Sequence, residues 1–368
     1  MAQQVQAALL PDYGMPIQVT SVELDAPGPH EVLVEMRASG VCHSDWHAVT
    51  GDLPLPVPLV LGHEGAGIVR HIGPGVRGAK VGDRVVLTWI PSCGHCVRCV
   101  NGQPELCESA NDIAVAGTLP EGTTRLHWNG TPVAPFSATG TLADMAVVSE
   151  RSVIPIPDAM PFEEAALLGC AVQTGIGAAF HSPIQPGDAV AVIGCGGVGL
   201  NIVQGARIRG AADIIAVDPS LANRQLARQL GATYTIDSEA DDALLAILDR
   251  TQDQGVDIAF EAVGQPALIA LAFNATRRGG TAVAVGVPPP NATVALNAFA
   301  FPSQEKTLTG SWYGGSFPPR DIPRLTALWA EGKLQISPLI QRRYRLSETP
   351  QAFADLVNAR GGRGVIVW

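Results

Sequence analysis

The sequence predicts an α/β protein in two parts: a β-rich N-terminal region reaching to about Glu150, and a doubly wound parallel sheet over roughly residues 172–312. Three observations carry this. Before Glu150, short runs that alternate polar and apolar residues are separated by Pro/Gly turns such as Ala26-Pro27-Gly28-Pro29 and Gly73-Pro74-Gly75. From Asp188 onward, continuous apolar runs alternate with helical stretches. Between the first such run and its helix stands Gly194-Cys195-Gly196-Gly197-Val198-Gly199. At 368 residues the chain is long enough for two domains.

Composition narrows the function classes. The formal net charge is −10 and no Lys/Arg-rich block occurs, so the footprint of a nucleic-acid binder is missing. Residues Met1-Ala2-Gln3-Gln4-Val5 lack a basic start and a long apolar run, so no signal peptide is expected. The most apolar long run, Ala165 to Phe180, is too short and too interrupted to span a bilayer. A cytoplasmic protein with no membrane partner is the expectation. Its seven cysteines should then be reduced, which favours metal binding over disulfides.

In chain order, strands are expected at Val19–Leu24, Glu31–Met36, Gly65–Ile72 and Asp83–Leu87. Between them lie Cys42 and His63, 21 residues apart, a thiol and an imidazole that suit Zn²⁺. They supply two ligands, so a metal reading requires a third elsewhere. Next comes Cys93-x2-Cys96-x2-Cys99-x7-Cys107, whose tight steps match a closed four-thiolate zinc site with a structural role. An iron–sulfur cluster is the alternative occupant, and His95 within the run reads as a bystander. Residues 108–142 read as a long surface loop with a hairpin near Asn129-Gly130, followed by a strand at Met145–Val148. A short helix, Phe162–Leu168, ends at Gly169, and Cys170 follows as the candidate third ligand.

The run Ala189–Ile193 reads as a strand buried on both faces, opening into the glycine fingerprint and a helix. Asp218, 19 residues beyond Gly199, ends the next strand. That context is the dinucleotide-binding one: Gly194, Gly196, Gly197, Val198 and Gly199 let backbone N–H groups approach a pyrophosphate. Asp218 would accept from an adenosine ribose and repel a 2′-phosphate, which favours NAD over NADP. Further units are expected at 221–231, 233–236, 243–250 and 256–261, with Thr281–Val287 the last well-marked strand. Helices at Asp321–Glu331 and Thr349–Ala359, with a strand between them and a final strand Val365–Trp368, complete the chain.

With Gly-His63-Glu64-Gly-Ala-Gly, the four-cysteine lobe, Gly169-Cys170-x3-Thr174-Gly175 and the glycine fingerprint in place, the chain resembles the zinc-dependent medium-chain alcohol dehydrogenases over nearly its whole length. The resemblance implies a GroES-like catalytic domain, 1–171 completed by 313–368, with a Rossmann domain inserted at 172–312. It implies two zinc ions per chain, one catalytic on Cys42, His63 and Cys170 with Glu64 an occasional fourth ligand, and one structural on Cys93, Cys96, Cys99 and Cys107. Alcohol acidified by zinc would yield a hydride to NAD, its proton leaving through Ser44, the nicotinamide ribose and His47. Asp45 is expected to orient a ligand from behind. His43 sits where such enzymes often place a basic residue near coenzyme phosphates, and a neutral His should hold that anion less firmly than Arg. Arg363 is expected at the pyrophosphate, and Val263 and Val287 are further cofactor-binding candidates.

Trp89, Leu53, Phe136 and Trp312 are the substrate-pocket candidates, and they suit primary alcohols, aromatic or of medium chain, with the aldehyde as product. Two alternatives stay open. A formaldehyde dehydrogenase acting on a glutathione or mycothiol adduct would need charged loop residues where Gly51, Leu53 and Asn111 stand. A secondary-alcohol or polyol dehydrogenase differs in pocket size. A homodimer is expected, with a homotetramer the other possibility.

Overall fold

The computed structural model describes residues 2–358 and 361–368. The chain forms two compact units: Met1–Cys170 with Phe317–Ala330 and Ile340–Trp368, and Ala171–Ser316 with Glu331–Leu339. The C-terminal return is thus interrupted, because Glu331–Leu339 goes with the inserted unit. Gln204 shows why: its Nε2 donates to Gln335 O at 3.0 Å, and its Oε1 accepts Gln335 N–H at 2.8 Å.

The first unit holds a closed barrel of Gln3–Leu10, Gln18–Leu24, Leu126–Trp128, Thr131–Pro135 and Leu59–Val60. Its interior is aliphatic, with Val5, Ala7, Leu9, Val22, Leu24, Val60 and Leu119 buried together. A second sheet is built around the ten-residue strand Glu31–Gly40, which pairs with Glu64–Ile72, Met145–Ser149 and Arg363–Val367. The pairing of Gly40 with both Glu64 and Val365 brings the chain end beside the metal ligands. Gly40 is required there, since a Cβ would lie 1.9 Å from Glu64 Oε2. Two stretches are more structured than expected. Residues 108–142 contain a helix, Glu108–Ala116, and a hairpin turning at Asn129 (φ 51°) and Gly130 (φ 75°), while Phe136, Ala138 and Leu142 are core residues rather than loop surface. Ala165–Phe180 spans parts of two helices, Phe162–Leu168 and Ala171–His181.

The second unit carries a six-stranded parallel sheet. Its order is Tyr234–Ile236, Asp213–Val217, Ala189–Ile193, Val256–Glu261, Thr276–Ala284 and Thr307–Gly310. This is the doubly wound order with a switch point beside the first strand, where such sheets bind ligands. The sheet reaches one strand beyond Thr281–Val287, and the fifth strand begins at Thr276 and stops at Ala284. The helix expected over Thr349–Ala359 runs from Thr349 to Val357, and Ala359 lies outside the described residues. No helix among the described residues is long and apolar enough to cross a membrane.

Candidate metal centres and nucleotide cradle

Cys42, His63, Glu64 and Cys170 converge, each offering one ligand atom within 4.8 Å of the others, and all four are buried. Cys42 is the extended residue before the helix His43–Thr50. His63 follows Gly62, whose φ of 98° and tight approach to Leu142 N, 2.4 Å from a Cβ built there, exclude any side chain. Cys170 sits at the junction of two helices, after a Gly169 whose Cβ would lie 2.6 Å from Leu87 O.

The donor set fits a metal. His63 is 2% exposed and its Nε2 has no hydrogen-bond partner among the described residues, a costly state for a buried imidazole unless something binds it. Asp45, fully buried, accepts Gly62 N–H at 2.8 Å with Oδ1 and places Oδ2 3.2 Å from His63 Nδ1. That contact, an ion-pair distance, places the carboxylate beside Nδ1 and leaves the far nitrogen for a metal. The two thiols divide their protonation. A hydrogen bond from Cys170, with help from Arg363 and His63, holds Cys42 well below the ordinary thiol value, whereas that same bond and burial hold Cys170 well above it. Burial lifts Glu64 to about 7 against the opposing pull of Arg363.

Arg363 is buried, and its guanidinium pairs with Glu64 and feels the negative charge of Cys42 and Cys170. Among the described residues, the partner of this arginine is the carboxylate of the candidate metal site. Ser44 and His47 lie three residues apart on the His43–Thr50 helix and so share a face. Ser44 Oγ is 3.7 Å from Cys42 Sγ, and His47 Nδ1 is 3.1 Å from Asp52 Oδ2. Surrounding protein, more than the positive charge of Arg363, lowers the His43 pKa, although its ring reaches the surface; Cys42 opposes the shift. Phe136 and Trp89 stand edge-on to His63, at ring-centroid distances of 5.2 and 6.4 Å. Leu53 is half-buried and tied by its N–H to His47 O, and Trp312 belongs to the other unit, 45% exposed.

Cys93, Cys96, Cys99 and Cys107 also bring their sulfurs within 4.8 Å of one another. Cys93 N–H points at Cys107 Sγ (3.2 Å) and Cys96 N–H at Cys93 Sγ (3.3 Å), as thiolate ligands require. Hydrogen bonds from the backbone of Cys99 and Glu108 lower Cys96 to about 6, while burial leads in raising Cys99 to about 12. His95 is exposed and bonded to Cys93 O, outside the ligand set.

In the second unit the fingerprint is preorganised. Gly199 packs so closely that a Cβ would lie 1.8 Å from Gly194 O, whereas Gly196 faces open space with nothing within 4 Å. Open room over Gly196, at the N-terminus of the helix Gly197–Arg209, fits a pyrophosphate. Asp218 Oδ2 accepts Cys195 N–H at 2.7 Å, and its Oδ1 accepts Ser220 N–H and Asn223 Nδ2. Val263 and Val287 follow the fourth and fifth strands, with the Val263 side chain against Gly194.

Residues 28–158 match the family model for the alcohol dehydrogenase GroES-like domain, and residues 197–331 that for the zinc-binding dehydrogenases. The chain is 39% identical over 368 residues to an NDMA-dependent alcohol dehydrogenase of Amycolatopsis methanolica, covering 99% of both. It is 34% identical over 365 residues to an S-(hydroxymethyl)glutathione dehydrogenase of Synechocystis sp., covering 98% of this chain and 99% of the relative. The crystal structure of benzyl alcohol dehydrogenase from Acinetobacter calcoaceticus superposes with a TM-score of 0.93 at 32% identity over 99% of each chain. The chain belongs to the zinc-dependent medium-chain dehydrogenase/reductase family. It is an oxidoreductase of the alcohol dehydrogenase type.

Proposed function

We propose that this protein is an NAD-dependent alcohol dehydrogenase carrying one catalytic and one structural zinc, and that it interconverts primary alcohols, aromatic ones included, with their aldehydes. The observation that carries the reading is His63 Nε2, buried and unpartnered among Cys42, Cys170 and Glu64. When bound, zinc would supply Lewis acidity toward the alcohol hydroxyl, and the dinucleotide an acceptor for the hydrogen on carbon. Cys42, His63 and Cys170 would hold the catalytic metal, and Asp45 would fix the His63 ring. The edge-on aromatic pair Trp89 and Phe136 gives a planar alcohol apolar walls beside that imidazole. Ser44 Oγ, close to Cys42, would receive the hydroxyl proton, and His47, a quarter exposed, would return it to solvent. Asp218 would prefer the free ribose of NAD.

The relative that acts on S-(hydroxymethyl)glutathione favours a second reading, formaldehyde oxidation as a thiol adduct. Gly51, Leu53 and Asn111 offer such an adduct no charge. A secondary-alcohol or polyol substrate is the remaining alternative. One assay separates them: benzyl alcohol, primary and secondary aliphatic alcohols, polyols, and formaldehyde with glutathione or mycothiol, each with NAD, NADP or NDMA as acceptor. Turnover of benzyl alcohol with NAD, and two zinc ions per chain by metal analysis, are expected. One zinc per chain would overturn the two-site assignment, and turnover confined to the thiol adducts would overturn the substrate class. A homodimer is proposed from the outer edge of Thr307–Gly310, which pairs on one side only among the described residues; a monomer in sedimentation would refute it.

A further inference from the structure

The proton exit carries a carboxylate that the metal and nucleotide motifs do not explain. The helix His43–Thr50 ends at Gly51, left-handed at φ 80°, and the chain then reverses so that Leu53 N–H donates to His47 O at 3.0 Å. That reversal carries Asp52 back over the last turn. Its Oδ2 lies 3.1 Å from His47 Nδ1 and accepts Thr50 Oγ1–H at 2.8 Å.

We propose that Asp52 is a positioning residue for proton transfer: it keeps the His47 proton on Nδ1, so that Nε2 is the ring's free acceptor. A neutral imidazole has one N–H, and a carboxylate can only accept, so the bonded nitrogen must be the protonated one. The hydroxyl of Thr50 first, and His47 second, hold the Asp52 carboxyl below its usual range, so it is an anion at neutral pH. Thr50 also aims the carboxylate: its single hydroxyl proton has its shortest contact to Asp52 Oδ2, at 2.8 Å, against 3.2 Å to Trp46 O and 3.3 Å to His47 O.

The proton count closes. Nε2 takes one proton from the site, the ring becomes a cation with both nitrogens protonated, and Asp52 retains the Nδ1–H bond. Water then removes the Nε2 proton and the ring returns to its starting tautomer. No electrons move, and one proton passes from site to solvent. His47 and Asp52 expose 25% and 43% of their side chains, so water reaches the pair and screens it. The effect on rate is therefore modest.

The inference rests on His47 being the exit of the relay, and the test separates the two claims. Zinc- and dinucleotide-loaded wild type, Asp52→Ala, Asp52→Asn, His47→Gln and the Asp52→Ala/His47→Gln double variant are compared in single-turnover alcohol oxidation, with metal content and dinucleotide affinity measured alongside. Side-chain nitrogen chemical shifts, assigned by the peak lost in His47→Gln, report the His47 tautomer. Wild type should show Nδ1–H. Asp52→Ala should slow turnover roughly two- to fivefold. Asp52→Asn should fall at least as far, because its amide can donate to Nδ1 and favour the opposite tautomer. The double variant should be no slower than His47→Gln alone. An Nε2–H tautomer in wild type, an Asn variant at wild-type rate, or additive losses in the double variant would each overturn the role of Asp52. If His47→Gln itself turns over at the wild-type rate, the relay reading falls and takes this inference with it.

Discussion

Asp45 divides one buried carboxylate between two tasks, bracing the Gly62 turn through Oδ1 and the His63 ring through Oδ2. Removing it leaves Gly62 N–H unpaired and the imidazole free to rotate. Asp45→Ala should therefore weaken zinc retention by roughly 10- to 100-fold, read as metal content after dialysis against graded chelator. The four-cysteine set makes a second residue-scale prediction. Cys99 and Cys107 are both raised, led by burial, and hold their protons at neutral pH. Metal must displace both, so zinc titration in weak buffer should release at least two protons from this lobe, and apparent affinity should fall as pH falls. Residue types and spacing showed these ligands because thiol chemistry is local. The pairing of Arg363 with Glu64 was hidden, since 299 residues separate them.

Among elements, the glycine fingerprint separates fold from binding. Gly199→Ala forces its Cβ into Gly194 O, rigid backbone that cannot yield, and should lower both the melting temperature and dinucleotide affinity. Gly196→Ala meets nothing within 4 Å, so it should melt as wild type yet bind dinucleotide more weakly, because the methyl occupies ligand space. Calorimetry and dinucleotide titration together test the contrast. Glu261 tightens the neighbouring loop: Oε1 accepts the N–H groups of Val263 (2.8 Å) and Gly264 (2.7 Å). Glu261→Ala would orphan those donors and should cost about 2–3 kcal/mol in denaturant unfolding, with Glu261→Gln restoring most of it. The apolar runs of the inner strands were plain in the sequence. The helix His43–Thr50 was not, because its polar face carries function and obscures the period. The final strand Thr307–Gly310 was likewise hidden, being short, edge-placed and mostly exposed.

For the molecule as a whole, the four-cysteine lobe has little packing of its own around the helix Val97–Val100. That helix buries no residue, so on the proposed assignment four metal–sulfur bonds would stand in for a core. Cys96→Ser should open this lobe to limited proteolysis within residues 93–107, with the parallel sheet's circular dichroism unchanged. Cleavage at wild-type rates would show that packing suffices.

By itself the sequence singled out the two clusters of candidate metal ligands, the nucleotide fingerprint and the two-part fold, because ligand spacing, turn glycines and hydrophobic period act over a few residues. Only the tertiary structure decided that Arg363 faces Glu64, that Asp52 folds back on His47, and that 331–339 goes with the nucleotide unit. Each of these depends on strand register or a chain reversal, where burial and hydrogen bonding over the whole molecule choose the partner.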